Sequence, residues 1–431
     1  MGVFTLNDNI EVDHKIQTEL DIICAEILRS ICPTTILLAG SFGNGEGSVL
    51  FQNSTITLVA DYDLLIIAEK NQLLTQKELN ELKMRIMVRC QSGEIERHIL
   101  RGCKIDIFQS TPEQFRSNAR LSIYNMINNG SIVLYGKDIR PTVSIDLNRL
   151  APSACYISLL KSISTFLKKF PKIDHGISAH SKEDWFSLIY YYCKIYLHMG
   201  TQLTLCSNLY HPLCRIRGER LKEQYNQLYP ELAAANPDLP DKIIKYSELT
   251  LYPNGIMEES FDPFTLWFET RQDFEMVLKY CLKTLGHADS DSWVILSNQM
   301  YIFLKENYFY YYIEHYLKNR HHIRFAPITS MVNIIYQFRN AYKFYRNTQM
   351  GMKGLHLFSI YPLFKLYAIS PLLLFSIQND GTIDRTLFSA FKKEFSAVFP
   401  DSENLPIPND VDNWIFAKDL YLKAEDIARK W

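Results

Sequence analysis

The sequence predicts an α+β protein, with a small mixed sheet and flanking helices over residues 1–145 and a large all-helical region over 146–431. Three observations carry this reading. Short β-type runs alternate with amphipathic segments only in the first 140 residues, as in TTILLAG (34–40), DYDLLIIA (61–68) and KIDIFQS (104–110). Beyond residue 152 the strand signals fade, and long stretches dense in Tyr, Phe and Leu carry helical periodicity. Between them, GKDIRPTVSIDLNRLAP (136–152) clusters proline and charge and marks a boundary.

In chain order, HKIQTELDIICAEILRSI (14–31) has apolar residues at helical spacing, and TTILLAG reads as a buried strand ending in glycine. FQNSTITLV (51–59) has the character of an inserted hairpin ahead of the strand DYDLLIIA. TQKELNELKMRIMVR (75–89) opens on a threonine cap and continues as an amphipathic helix. The strand KIDIFQS leads into TPEQFRSNARLSIYNMINNG (111–130), a helix that starts at Thr-Pro and stops at Gly130, and SIVLYG (131–136) is a last short strand. Helices are expected over 153–170, 182–206, 264–285, 290–318, 328–348, 354–378, 383–398 and 411–431. They form one bundle or two stacked bundles with a break near 240–290, since 431 residues exceed one ordinary core.

Composition narrows the function classes. Hydrophobic residues are 47% of the chain, which supplies apolar surface for packed interiors. Lys plus Arg (46) nearly balances Asp plus Glu (47), so no overall field draws the chain onto a long nucleic acid or an anionic membrane. The nine cysteines are scattered, odd in number and without a C-x-x-C pair, a pattern of reduced thiols that points to a cytoplasmic protein. The N-terminus carries no basic segment followed by an apolar one, so no secretory signal is expected. LHLFSIYPLFKLYAISPLLLFSI (355–377) is the most apolar stretch, but His356, Lys365, Pro362 and Pro371 favour a buried helix pair over an integral membrane segment.

The chemistry-bearing stretch is AGSFGNGEGSVLFQNSTITLVADYDLLII (39–67). A buried strand that ends in Gly40-Ser41 and turns into a helix directs backbone N–H groups and one hydroxyl at a common point, an arrangement that binds phosphate. Residues i and i+2 of a strand share a face, so Asp61 and Asp63 project together and Tyr62 projects away. Paired carboxylates repel unless a cation lies between them, which makes Mg²⁺ the economical explanation. Asp106 lies on another apolar strand between Ile105 and Ile107, and one strand pairing would place it beside the other two. Three converging carboxylates and a phosphate-binding turn are the parts of a two-metal phosphoryl or nucleotidyl transfer site.

Gly-Ser at a strand end, Asp-x-Asp on the next strand and a lone Asp on a later one resemble the nucleotidyltransferase superfold of DNA polymerase beta and the aminoglycoside nucleotidyltransferases. The resemblance is motif-level and covers about residues 30–140. More narrowly, GSFGNGEGSV followed by DYDLL resembles bacterial nucleotidyltransferase-domain proteins often associated with surface-polysaccharide gene clusters. YYYCKIYLHMGTQLTLCSNLYHP (190–212) is similar to their Lys-bearing helix with a following Gly and Tyr-His/Pro turn.

The resemblance implies a nucleotidyltransferase in which Gly40 and Ser41 hold the β- and γ-phosphates of a nucleoside triphosphate. It implies that Asp61 and Asp63 ligate two Mg²⁺ ions, and that Asp106 completes one metal site and helps deprotonate a hydroxyl on a sugar or other small-molecule acceptor. Lys194, the one lysine or arginine within the aromatic and aliphatic stretch 185–206, is the candidate to neutralise the leaving pyrophosphate. Two departures stand out: nineteen residues separate Ser41 from Asp61, a longer gap than is usual in the superfold, and Asn44 occupies a position where the narrower group leads one to expect arginine.

Taken singly, each signal has a plain structural alternative. Gly40-Ser41 reads as a turn, the Asp pair as a solvated edge strand, Asp106 as a surface residue and Lys194 as a snorkelling lysine. The basic clusters HPLCRIRGERLK (211–222) and HYLKNRHHIR (315–324) read first as solvated faces and second as cleft linings. His321 and His322 lack partners at ligand spacing, and YFYYYIEHY (308–316) reads as core or subunit contact. The chain has no G-x-x-x-x-G-K-[ST] loop. Two other functions compete with transfer to a small molecule: an inactive nucleotidyltransferase-like scaffold, and nucleotidylation of a protein or synthesis of a nucleotide messenger.

Overall fold

The computed structural model describes residues 2–6, 9–52, 55–90, 105–117, 121–128, 130–147, 152–171, 182–284, 290–304, 362–399, 402, 405 and 411–429. The expected helix at 328–348, the basic cluster 315–324, His321, His322 and the aromatic run 308–316 lie outside these residues. The chain divides into two compact units, Met1–Ala154 with Ile173–Leu266, and Cys155–Lys172 with Trp267–Trp431.

The first unit opens with helix α1 (Ile10–Ser30), which the Asn9 side chain caps by accepting from the Glu11 and Val12 amides. Strand β1 (Thr35–Ala39) is buried along its whole length and runs directly into the one-turn helix α2 (Gly40–Gly43). Strands β2 (Val49–Gln52) and β3 (Thr55–Leu58) form an antiparallel hairpin, as FQNSTITLV predicts. Strand β4 (Tyr62–Ile67) follows, then helix α3 (Gln76–Cys90), strand β5 (Ile105–Ser110) and the helices α4 (Pro112–Ser117) and α5 (Leu121–Ile127). Strand β6 (Ile132–Gly136) completes a mixed four-stranded sheet of order β5-β4-β1-β6, in which only β4 and β5 run parallel.

The twofold alternation of β4 sends its residues into two separate cores. Tyr62, Leu64 and Ile66 pack with Ile16, Leu20 and Ile23 of α1 and with Leu79, Leu82 and Ile86 of α3. On the other face Leu65 and Ile67 pack with Phe115, Ile123 and Met126 from α4 and α5. Asp63 sits on this second face, at the end of the sheet where β1 becomes α2.

The same unit contains helices α7 (Lys182–Cys206), α8 (Cys214–Leu228), α9 (Pro230–Ala235), α10 (Leu239–Leu251) and α11 (Asn254–Glu258), after α6 (Pro152–Lys168). Tyr196 of α7 stacks on Tyr246 of α10 with ring centroids 4.4 Å apart. The sequence predicts α6 and α7 but places no helix between 207 and 263, where four occur.

The second unit is helical, from most of α6 through α12 (Pro263–Thr284), α13 (Trp293–Phe303) and the helices Pro362–Leu374, Arg385–Val398 and Val411–Arg429. Its core is aromatic: Trp267 lies edge-on to Phe166 and Phe170, and Phe391 and Phe395 pack on Tyr421. Pro362–Leu374 buries Leu366, Ile369 and Leu372, in accord with a buried helix there. Among the described residues no helix is long and apolar enough to cross a membrane.

Candidate functional site

The site begins at the junction of β1 and α2. Gly40 has φ +64°, in the region that glycine tolerates and other residues rarely adopt. A Cβ there would lie 2.1 Å from Asp63 Oδ2, so glycine is required both by the backbone turn and by the close approach of a carboxylate. Sheet register explains the approach, because Ala39 on β1 is the cross-strand partner of Asp63 on β4.

On its other side Asp63 is register-paired with Asp106 of β5. Neighbouring strands are about 4.8 Å apart and paired residues share a face, so the two carboxylates occupy one row of the sheet. Asp61 stands one residue ahead of β4, just outside the strand on which the spacing places it, yet its charge reaches Asp63. Burial pushes the Asp63 carboxyl up to about 6, the Asp61 and Asp106 carboxylates push in the same direction, and Lys194 of α7 opposes them. All four charged residues named from the sequence therefore fall in one electrostatic neighbourhood. Ser41 is the second residue of α2, immediately beyond Gly40, and its carbonyl accepts from the Glu46 amide at 2.8 Å.

Tyr62 faces away, as alternation requires. It is buried, packs on Phe42 at 5.0 Å between centroids and donates its hydroxyl to Glu19 at 3.0 Å, fixing β4 against both α2 and α1.

Three residues important to the site carry no sequence signal of their role. Lys83 of α3 places its Nζ 3.4 Å from Asp106 Oδ1. Glu46, buried in the loop after α2, accepts from the backbone amides of Cys214 and Arg215 at 2.9 and 3.3 Å and so caps the N-terminus of α8. Asn44 holds this loop: its Oδ1 accepts from the Glu46 amide and its Nδ2 donates to the Glu46 carboxylate. The third is Arg217, from the basic run 211–222. It is buried rather than solvated, donating to the Tyr210 hydroxyl at 3.1 Å and to Cys214 Sγ at 2.6 Å.

The inserted segment makes further contacts with the helices. Ser48 donates to the Thr250 carbonyl at 2.6 Å, and Phe51 exchanges two backbone hydrogen bonds with the Asn254 side chain. The long Ser41–Asp61 interval thus holds α8, α10 and α11 against the sheet. On α7, one turn beyond Lys194, burial drives the His198 imidazole down to about 4, with the charges of Lys194 and Arg217 adding to the effect.

Carboxylate oxygens alone make a donor set suited to a hard divalent cation, and a cation there would offset both the burial of Asp63 and the repulsion from Asp61 and Asp106 that raise it. Among the described residues, no group of three or more His, Cys, Asp or Glu side chains already stands in a metal-holding arrangement. Asp106 is engaged by Lys83. The fold and site together define a class: a small mixed sheet presenting a carboxylate row beside a glycine turn, joined in one unit to a set of helices. No protein-family model, curated protein or solved structure matches the chain.

Proposed function

We propose that the protein is a divalent-cation-dependent nucleotidyltransferase that moves a nucleoside monophosphate from a triphosphate to a hydroxyl-bearing acceptor, a sugar or another small molecule, releasing pyrophosphate. The observation that carries this reading is the in-register pair Asp63–Asp106, joined by Asp61 and set against the positive-φ Gly40 turn. The resemblance to the nucleotidyltransferase superfold supports it from the order of the motifs.

Asp61, Asp63 and Asp106 would hold two Mg²⁺ ions, which when bound supply charge neutralisation and polarisation of the phosphoryl oxygens. Gly40 and Ser41 would bind the β- and γ-phosphates, and the missing Cβ at Gly40 keeps the backbone open to a close approach. The side chain of Asp106 is 56% exposed, which makes it the carboxylate accessible to an acceptor from solvent. It would accept the acceptor's proton as that oxygen bonds to the α-phosphorus and the bond to the β-phosphate oxygen breaks. Lys194 puts positive charge beside Asp63, suited to drawing in a polyphosphate and holding the pyrophosphate as it leaves.

The test is incubation with each α-labelled nucleoside triphosphate and a panel of hydroxyl acceptors, resolved on a thin-layer plate and on a gel. Label in a new small-molecule product, with pyrophosphate release that falls about 10²-fold or more in Asp106→Asn, is the expected result. Label on a protein band or in a nucleotide-only product would redirect the acceptor assignment. Absence of pyrophosphate release with every nucleotide would favour a non-catalytic scaffold.

A further inference from the structure

The carboxylate row is flanked by lysines from two different helices. The charge of Lys194, on α7, reaches Asp63, and Lys83 of α3 brings its ammonium to Asp106. On α3 the buried residues Leu79, Leu82 and Ile86 face the sheet, and Lys83 follows Leu82 on the flank of that stripe. Its side chain is 27% exposed, whereas Lys77 on the same helix is 87% exposed and pairs loosely with Glu81 at 4.0 Å. Lys83 is therefore drawn in toward Asp106, while Asp106 stays open on its solvent side at 56% exposure. Half-exposed ion pairs contribute little to folding, so the stability of the α3–β5 contact is a weak reason for this placement.

We infer that Lys83 is a built-in competitor for Asp106, a positioning residue that weakens the loading of a free divalent cation and so favours its arrival together with the triphosphate. This inference rests on the metal-dependent reading of the same site. An ammonium 3.4 Å from one carboxylate of the row neutralises part of the field that would attract a metal ion, and it repels any cation bound there. A triphosphate adds negative charge and shifts the balance, so metal and nucleotide binding reinforce one another. Removing the ammonium tightens metal binding to the nucleotide-free protein and reduces that mutual reinforcement.

The experiment is calorimetric titration of nucleotide-free full-length protein with Mg²⁺ and with Mn²⁺, comparing wild type, Lys83→Met, Lys83→Gln, Lys83→Arg and Asp63→Asn. The expected result is about threefold or greater tightening in Lys83→Met and Lys83→Gln, from the size of partly exposed charge couplings. Wild-type affinity should be retained in Lys83→Arg, which keeps the charge, and lost in Asp63→Asn. Loss of a merely structural contact would leave metal binding unchanged or weaken it. Unchanged or weaker affinity in both uncharged variants, with wild type binding metal through Asp63, overturns the role of Lys83 alone. A wild-type protein that binds neither ion overturns the metal-dependent reading as well.

Discussion

Asp63 is where folding and the proposed chemistry pull in opposite directions. Its carboxyl titrates at about 6 instead of 3.8, so the folded chain holds that proton more tightly than the unfolded chain does. Its contribution to stability is therefore favourable at pH below about 4, and it is lost as pH rises through about 6. In chelator at pH 8, Asp63→Asn should be more stable than wild type by about 1–3 kcal/mol, and the difference should vanish near pH 4. Chemical denaturation across that range checks this, and equal stability at pH 8 would refute the buried, negatively crowded setting of Asp63. Gly40→Ala should act the other way, costing about 1–3 kcal/mol through a positive φ and a Cβ only 2.1 Å from Asp63 Oδ2. At this scale the face on which Asp63 projects, opposite Tyr62, is legible in the sequence because strand alternation is a short-range rule, whereas Asp61 lies just ahead of β4 and the Asp63–Asp106 pairing is fixed by strand register. Lys83 is not, since its partner is fixed by how α3 lies on the sheet, which no local spacing encodes.

At the scale of elements, the interval between Ser41 and Asp61 changes meaning. Its hairpin is legible from β-propensity, but its purpose is not, because its partners Cys214, Thr250 and Asn254 lie far along the chain. The Asn44 that stands where arginine is expected orders the Glu46 loop. Burial works against the Arg217 guanidinium, and it is offset by the Cys214 and Tyr210 groups that accept its hydrogen bonds and by the Glu46 carboxylate. Glu46→Ala removes the acceptor that caps the Cys214 and Arg215 amides of α8 and a negative charge near Arg217, so a loss of about 1–3 kcal/mol is expected. Glu46→Gln, which keeps an acceptor for the Cys214 and Arg215 amides, should lose less. Urea denaturation of the two variants decides this, and near-wild-type stability of the alanine variant would mean the loop does not secure the helix. Of the four helices between 207 and 263, α8 is strongly polar and α9 and α11 are short, so long apolar periodicity does not mark them, whereas α10 carries Leu239, Ile243, Tyr246 and Thr250 at helical spacing and is legible by that rule although the sequence expectation omits it.

On the whole-molecule scale, the α+β class and the small mixed sheet are legible from composition and periodicity. The grouping of Ile173–Leu266 with the sheet is set by contacts such as Glu46 with α8 and Tyr210 with Asn125, which no composition shift announces. That grouping brings Lys194 into the electrostatic reach of Asp63, so sheet and helices contribute to one site. The proposed function requires that this site bind a nucleoside triphosphate with a divalent cation. Its most direct test is calorimetric titration of a panel of non-hydrolysable nucleoside triphosphates, with and without Mg²⁺, into wild type and Asp63→Asn. Mg²⁺-dependent binding of at least one triphosphate, weakened about tenfold or more in Asp63→Asn, is the predicted result. Failure of every triphosphate to bind the wild-type protein in Mg²⁺ would contradict it.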